Sequence, residues 1–109
     1  MTKPPAIAAL RHRVRVERPE DEPDGYGGFS RSYRDVGGAW ARITPLGVQT
    51  QFADQKPENI ASHLIQIRWR NDIVAGGRFR FRDRIFLIRS LNNPDERCLF
   101  LDCICEEFS

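Results

Sequence analysis

The chain is short of cysteine, nearly without lysine and free of long apolar runs, and each shortage excludes something. Cys98, Cys103 and Cys105 are an odd number gathered near the C-terminus. They are too few for the disulfide framework of a small secreted domain, so folding in a reducing cytoplasm is expected. No stretch approaches the roughly 20 apolar residues of a membrane span, and no signal-peptide core follows Met1, so no membrane partner is expected. Of 17 basic residues only Lys3 and Lys56 are lysine; the rest are arginine, whose planar fork suits protein interfaces. Against 15 acids this leaves a net charge of +2, too small a surplus for a strong nucleic-acid footprint.

Catalytic signatures are missing as well. Gly25-Tyr26-Gly27-Gly28 sits in an acidic loop and lacks the Lys and Ser/Thr of a phosphate cradle. No serine or cysteine stands in a recognisable nucleophile context. Cys103-x-Cys105 has no second close pair, and only His12 and His63 could complete a metal set. His12 falls on the apolar face of a strand and is read as a core or boundary residue; His63 opens a strand and is expected to be exposed. The expectation is no enzyme, no cofactor and no metal.

What the chain has in quantity is strand periodicity. At 109 residues, with 40% hydrophobic side chains, it fits one folded domain. Residues 1–9, carrying Pro4 and Pro5, read as a flexible arm, and residues 10–109 as the domain. Leu10, His12, Val14 and Val16 alternate with Arg11, Arg13 and Arg15, a half-buried strand that Pro19 should stop. An acidic loop from Glu20 leads to a second strand at Phe29, punctuated at Gly37-Gly38 and resuming with Trp40-Ala41-Arg42-Ile43. Ile65, Ile67 and Trp69 alternate with Gln66, Arg68 and Arg70. Arg78-Phe79-Arg80-Phe81-Arg82 alternates throughout, Ile85 to Leu91 has no polar residue before Arg89, and Leu99, Leu101, Cys103 and Cys105 share a face of the last strand.

Short strands joined by turn signals predict an all-β fold, a small antiparallel β-barrel or sandwich. The expected core is Ile65, Ile67, Trp69, Phe79, Phe81, Ile85, Leu87, Leu99 and Leu101, with Trp40 at least partly buried. Between Gly47 and Ser62 no strand signal is found. Val48 and Phe52, four apart, allow one short helix in what is otherwise a long polar loop inserted between strands.

Charge is unevenly spread. From Ser62 to Ser90 seven arginines face Asp72 and Asp83; from Asn92 to Ser109 five acids face Arg97 alone. Such poles suit head-to-tail association of copies, with Arg68, Arg70, Arg78, Arg80 and Arg82 against Glu106 and Glu107, or against Glu20 to Glu22. The alternative is a small barrel binding nucleic acid through its arginine stripes. The interleaved Trp69, Phe79 and Phe81 point to the opposite face, which leaves no stacking platform for bases.

The ordered landmarks are the early alternating strand, Asp24-Gly25-Tyr26-Gly27-Gly28, Trp40-Ala41-Arg42-Ile43-Thr44-Pro45, Ile65-Gln66-Ile67-Arg68-Trp69-Arg70 with Asp72-Ile73, and Arg84 to Asn93 followed by Leu99 to Cys105. In that order they resemble the head–tail joining (head-closure, stopper or adaptor) proteins of tailed phages, prophages and gene transfer agents. The resemblance implies a β-barrel without catalytic activity, in a six- or twelve-fold homo-oligomeric ring at the virion neck, assembled in the bacterial cytoplasm. Its implied partners are the portal or adaptor protein, the tail-terminator protein, and DNA that passes through without sequence-specific binding. It further implies that the loop after the Trp-Ala strand reaches the channel. Here that segment is about 47–62, with Gln49, Gln51, Phe52, Asp54 and Lys56 as the candidate channel residues.

Overall fold

Six antiparallel strands and no α-helix make up the computed structural model, which describes residues 9–93 and 96–108. The expected arm lies outside the described residues except for Ala9, as do Pro94 and Asp95 of the turn before the last strand. The strands are β1 (His12–Pro23), β2 (Phe29–Ala53), β3 (Lys56–Arg68), β4 (Arg78–Phe81), β5 (Arg84–Asn92) and β6 (Phe100–Phe108). They pair in the order β1-β2-β3-β6-β5-β4, and β4 pairs back onto β1 to close a barrel. Closure leaves no open sheet edge around the core.

Strand alternation decides what fills it. Val14 and Val16 point inward between the exposed Arg13 and Arg15, and Ile65, Ile67, Phe79, Leu101, Cys103 and Cys105 do the same from their own strands. These join Ala41, Ile73, Phe86 and Ile88 in one apolar cluster. Each large side chain so buried contributes about 1.5–3 kcal/mol.

Several expected core positions lie elsewhere. On β5 the inward residues are Phe86 and Ile88, whereas Ile85 is exposed and Leu87 only half-buried. The tight Arg82-Asp83 turn pairs Phe81 with Arg84 and hence Phe79 with Phe86, so the inward Phe79 carries Phe86 inward with it. Trp69 is exposed because β3 ends at Arg68 and alternation stops there; its N–H donates to the Leu99 carbonyl, and Leu99, ahead of β6, is exposed too. Trp40 lies on the outer wall, 53% exposed. His63 sits well inside β3 and is buried, while His12 is exposed, edge-on to Phe81 at 5.2 Å.

The largest difference concerns β2. Straight, its 25 residues would span about 80 Å, yet the longest dimension of the molecule is 47 Å. The strand bends where its register shifts, opposite Val16/Glu17 and at Pro45/Gly47. Gly37 (φ +118°) and Gly47 (φ +153°) supply backbone conformations that side chains oppose at those two joints. Beyond each joint β2 runs on as half of a two-stranded ribbon, from opposite ends of its barrel segment.

The first ribbon pairs Glu17–Pro23 with Phe29–Asp35, so the acidic residues expected in a loop are strand. Pro19 is tolerated because it lies on a ribbon flank, where a missing N–H costs no ladder bond. The second pairs Gly47–Ala53 with Lys56–Ser62 and turns at Asp54-Gln55, both at positive φ. The segment expected as a loop with a short helix is therefore a β-hairpin. Beyond Ile60, which is buried where β6 joins at Phe108, solvent reaches both faces and no inside imposes an alternating pattern.

Candidate functional site

The five candidate channel residues all fall on the second ribbon. Val48, Thr50 and Phe52 share one face, opposite Ala61, Asn59 and Pro57; Gln49 and Gln51 share the other, opposite Ile60 and Glu58. Thr50 donates to the Asn59 side chain at 3.0 Å, a cross-strand bond that fixes the pairing. Asp54 stands in the turn and Lys56 closes it. Leu46, Val48 and Phe52 are 54%, 72% and 76% exposed. An exposed two-stranded hairpin is marginal in water by itself, and this one leaves three large apolar side chains open to solvent.

Most of the candidate interface charges are paired within the chain. Across β5–β6, Arg84 makes a two-pronged contact with Glu107 at 2.8 and 2.9 Å, and Arg89 pairs with Glu106. The hydrogen bond from Arg84 holds the Glu107 carboxyl below its ordinary pKa, against the opposing effect of burial. Arg70 grips Asp72 at 2.6 and 2.8 Å and also donates to the carbonyls of Val36 and Gly38, which ties the 69–77 segment to the first joint. Its hydrogen bond keeps the Asp72 pKa low. Arg78 meets the buried Glu17 at 2.5 Å and stacks over Tyr33 at 3.9 Å, and Arg80 reaches Glu17 at 3.9 Å. Arg82 occupies the β4–β5 turn, over the Phe81 ring. Of the five candidate arginines, Arg68 and Arg82 have no acidic partner among the described residues.

A feature that strand periodicity did not reveal lies beside Arg68. Arg13, Gly38, Ala39, Trp40, Arg68 and Arg70 line a groove of about 220 Å³ on the outer wall. Arg13 faces the Trp40 ring at 5.5 Å and, like Arg68, has no acidic partner among the described residues. Gly38 makes the room: a methyl group there would stand 2.7 Å from the Arg13 guanidinium. The signal present in the sequence is the run of small residues Gly37-Gly38-Ala39 directly before an aromatic.

The buried thiols do not offer chemistry. Burial pushes Cys103 up to about 12 and Cys105 higher still, so both stay protonated and pack as small apolar groups. His63 stacks edge-on against Phe86 at 4.9 Å, with its Nε2 3.4 Å from Arg84. No three metal-ligating side chains converge among the described residues.

Comparison with known proteins follows the same outline. Residues 5–107 match the family described as phage head completion protein. A chain from the virion of a native gene transfer agent particle superposes with a TM-score of 0.79 at 21% identity, covering 91% of this chain and 94% of that one. Protein SF1141 from Shigella flexneri 2a, solved in solution, superposes with a TM-score of 0.65 at 22% identity, covering 93% and 95%. At these identities the likeness is one of fold. None of the curated proteins matches the chain.

Proposed function

This chain belongs to the phage head completion protein family, and from that premise we propose that it is a structural head–tail connector of a tailed phage or phage-like particle, not an enzyme. In this reading copies form a ring around the DNA channel at the virion neck, between the portal or adaptor and the tail-terminator protein. The family match over nearly the whole chain carries the reading. The shape supports it: a closed barrel supplies a rigid block, and two ribbons extend the surface through which such a block can meet neighbours.

The second ribbon is the element proposed to face the channel, with Gln49, Gln51, Phe52, Asp54 and Lys56 on it. Its only charges are Asp54, Lys56 and Glu58. A surface of amides with little charge, slightly acidic, touches a phosphate backbone without gripping it. The rival reading as a nucleic-acid binder is weakened by pairing within the chain. Arg15, Arg31, Arg34, Arg70, Arg78, Arg80, Arg84 and Arg89 each lie within 4.0 Å of a carboxylate of the same chain, which reduces the charge left for phosphates.

Replacing Val48–Asn59 with a short Gly-Ser linker tests the channel role. The variant should fold, because β3 still pairs with β6 from Ile60 onward. Particles carrying it should leak DNA or fail to deliver it. Normal retention and delivery would place the gate in another ring.

A further inference from the structure

We propose that the Trp40 groove of one copy receives the tip of the β1–β2 ribbon of the next, with Glu22 against Arg13 and Arg68 and Tyr26 against Trp40. This rests on the connector reading and supplies its contact between copies.

The groove offers an unusual combination on this surface. Arg13 and Arg68 lack acidic partners among the described residues while most of their neighbours are paired, and Trp40 exposes half its surface beside them. Arg70, at the groove's edge, is already neutralised by Asp72. Two unpaired guanidinium groups beside one aromatic wall fit a carboxylate with an apolar or aromatic neighbour. A DNA duplex would instead call for a row of unpaired cations along its backbone.

The chain carries that complement at its own tip. Glu22 is exposed and has no ion pair among the described residues, and Tyr26 is 95% exposed. The neighbouring Asp24 is not competing for the groove, because its carboxylate accepts hydrogen bonds from the backbone N–H groups of Tyr26 and Gly28 at 2.8 and 3.1 Å. That turn holds the tip in one shape before any contact forms, which lowers the entropy cost of docking.

Reach makes the contact intermolecular. Arg13 pairs with Trp40 near one end of the β1–β2 ladder and Pro23 with Phe29 at the other, about 33 Å apart along the strand. The tip cannot enter its own groove without dismantling that ladder. Tip and groove are different patches, so the contact is head-to-tail, the kind that closes into a ring when the rotation allows.

The test uses full-length protein with the exposed Cys98 replaced by serine. Glu22→Cys and Arg68→Cys in one chain should give, on mild oxidation, a ladder of covalent oligomers, both in assembled particles and in concentrated purified protein. Each single cysteine should stop at background. In parallel, Arg68→Glu or Glu22→Arg alone should lower incorporation into particles about tenfold, and the two together should restore most of it, a rescue that mere misfolding would not give. Particles that contain the double-cysteine protein but yield no ladder, or a charge swap no better than its parents, would overturn the contact while leaving the connector reading intact. Absence of the unaltered protein from particles would overturn the connector reading, and the purified protein would still report on the contact. If Arg68→Glu instead abolishes salt-sensitive binding to a short duplex and no ladder forms, the groove is a DNA site and the proposal fails.

Discussion

One strand, β2, contributes to both ribbons, and the two solve the same problem in opposite ways. The β1–β2 ribbon is laced across its strands by Arg31–Asp21 and Arg34–Glu20, with Arg15–Asp35 beside the joint. Charged pairs run along its body, and its exposed aromatics, Tyr26 and Phe29, are at the tip. The β2–β3 ribbon has no charged side chain on its β2 arm between Leu46 and Ala53, and leaves Leu46, Val48 and Phe52 open. Since a two-stranded ribbon has no core, stabilisation has to come from cross-strand pairs or from another molecule. The first ribbon has several charged pairs of this kind, and the second has the Thr50–Asn59 bond beside open apolar side chains. On the connector reading proposed above, the difference separates a self-sufficient arm from one that assembly would complete.

Both ribbons grow from the barrel, and emptying its core should have the largest effect on either. Phe86→Ala empties a fully buried site facing Phe79 and His63. It should cost about 3–5 kcal/mol, most of the stability of an ordinary domain. Denaturant unfolding followed by tryptophan fluorescence would measure it. A loss below about 1 kcal/mol would mean the barrel core is not organised as described.

A smaller effect concerns acid. Glu107 and Asp72 have their pKa values lowered in the fold by hydrogen bonds from Arg84 and Arg70. Their contribution to stability is present above the unfolded carboxylate range near about pH 4, and is lost as pH falls through the lower folded values. Arg84 is 45% exposed, so solvent screening holds its pair to well under about 1 kcal/mol. Arg84→Met should flatten the acid limb of a stability-versus-pH curve without changing the fold. An unchanged acid limb would show that Glu107 is not held by Arg84 in solution.

Where one face of a strand meets the core, its residues were readable in advance: Val14 and Val16, Ile65 and Ile67, and Phe79 follow from alternation alone. On β5 four successive apolar residues hide the inward face, and the two-residue turn, not the strand, resolves it. Trp69 continues the alternation of its strand in sequence but lies one residue past the strand's end. The ribbons were hardest to read, since a strand wet on both sides carries no period, and Gln49 to Gln51 can then pass for loop. For the candidate site, the arginine stripes were visible but their partners were not. Glu106 and Glu107 sit across β5–β6 from Arg89 and Arg84, and that pairing depends on strand order, which no local pattern encodes.

Density for the neck of the native particle would show whether assembly covers the apolar face of the β2–β3 ribbon. The expected result is a ring in which Val48 and Phe52 of each copy are buried against another chain, with the Asp54-Gln55 turn directed toward the channel. A ring that leaves both side chains facing solvent, with the ribbon pointing away from the axis, would contradict it.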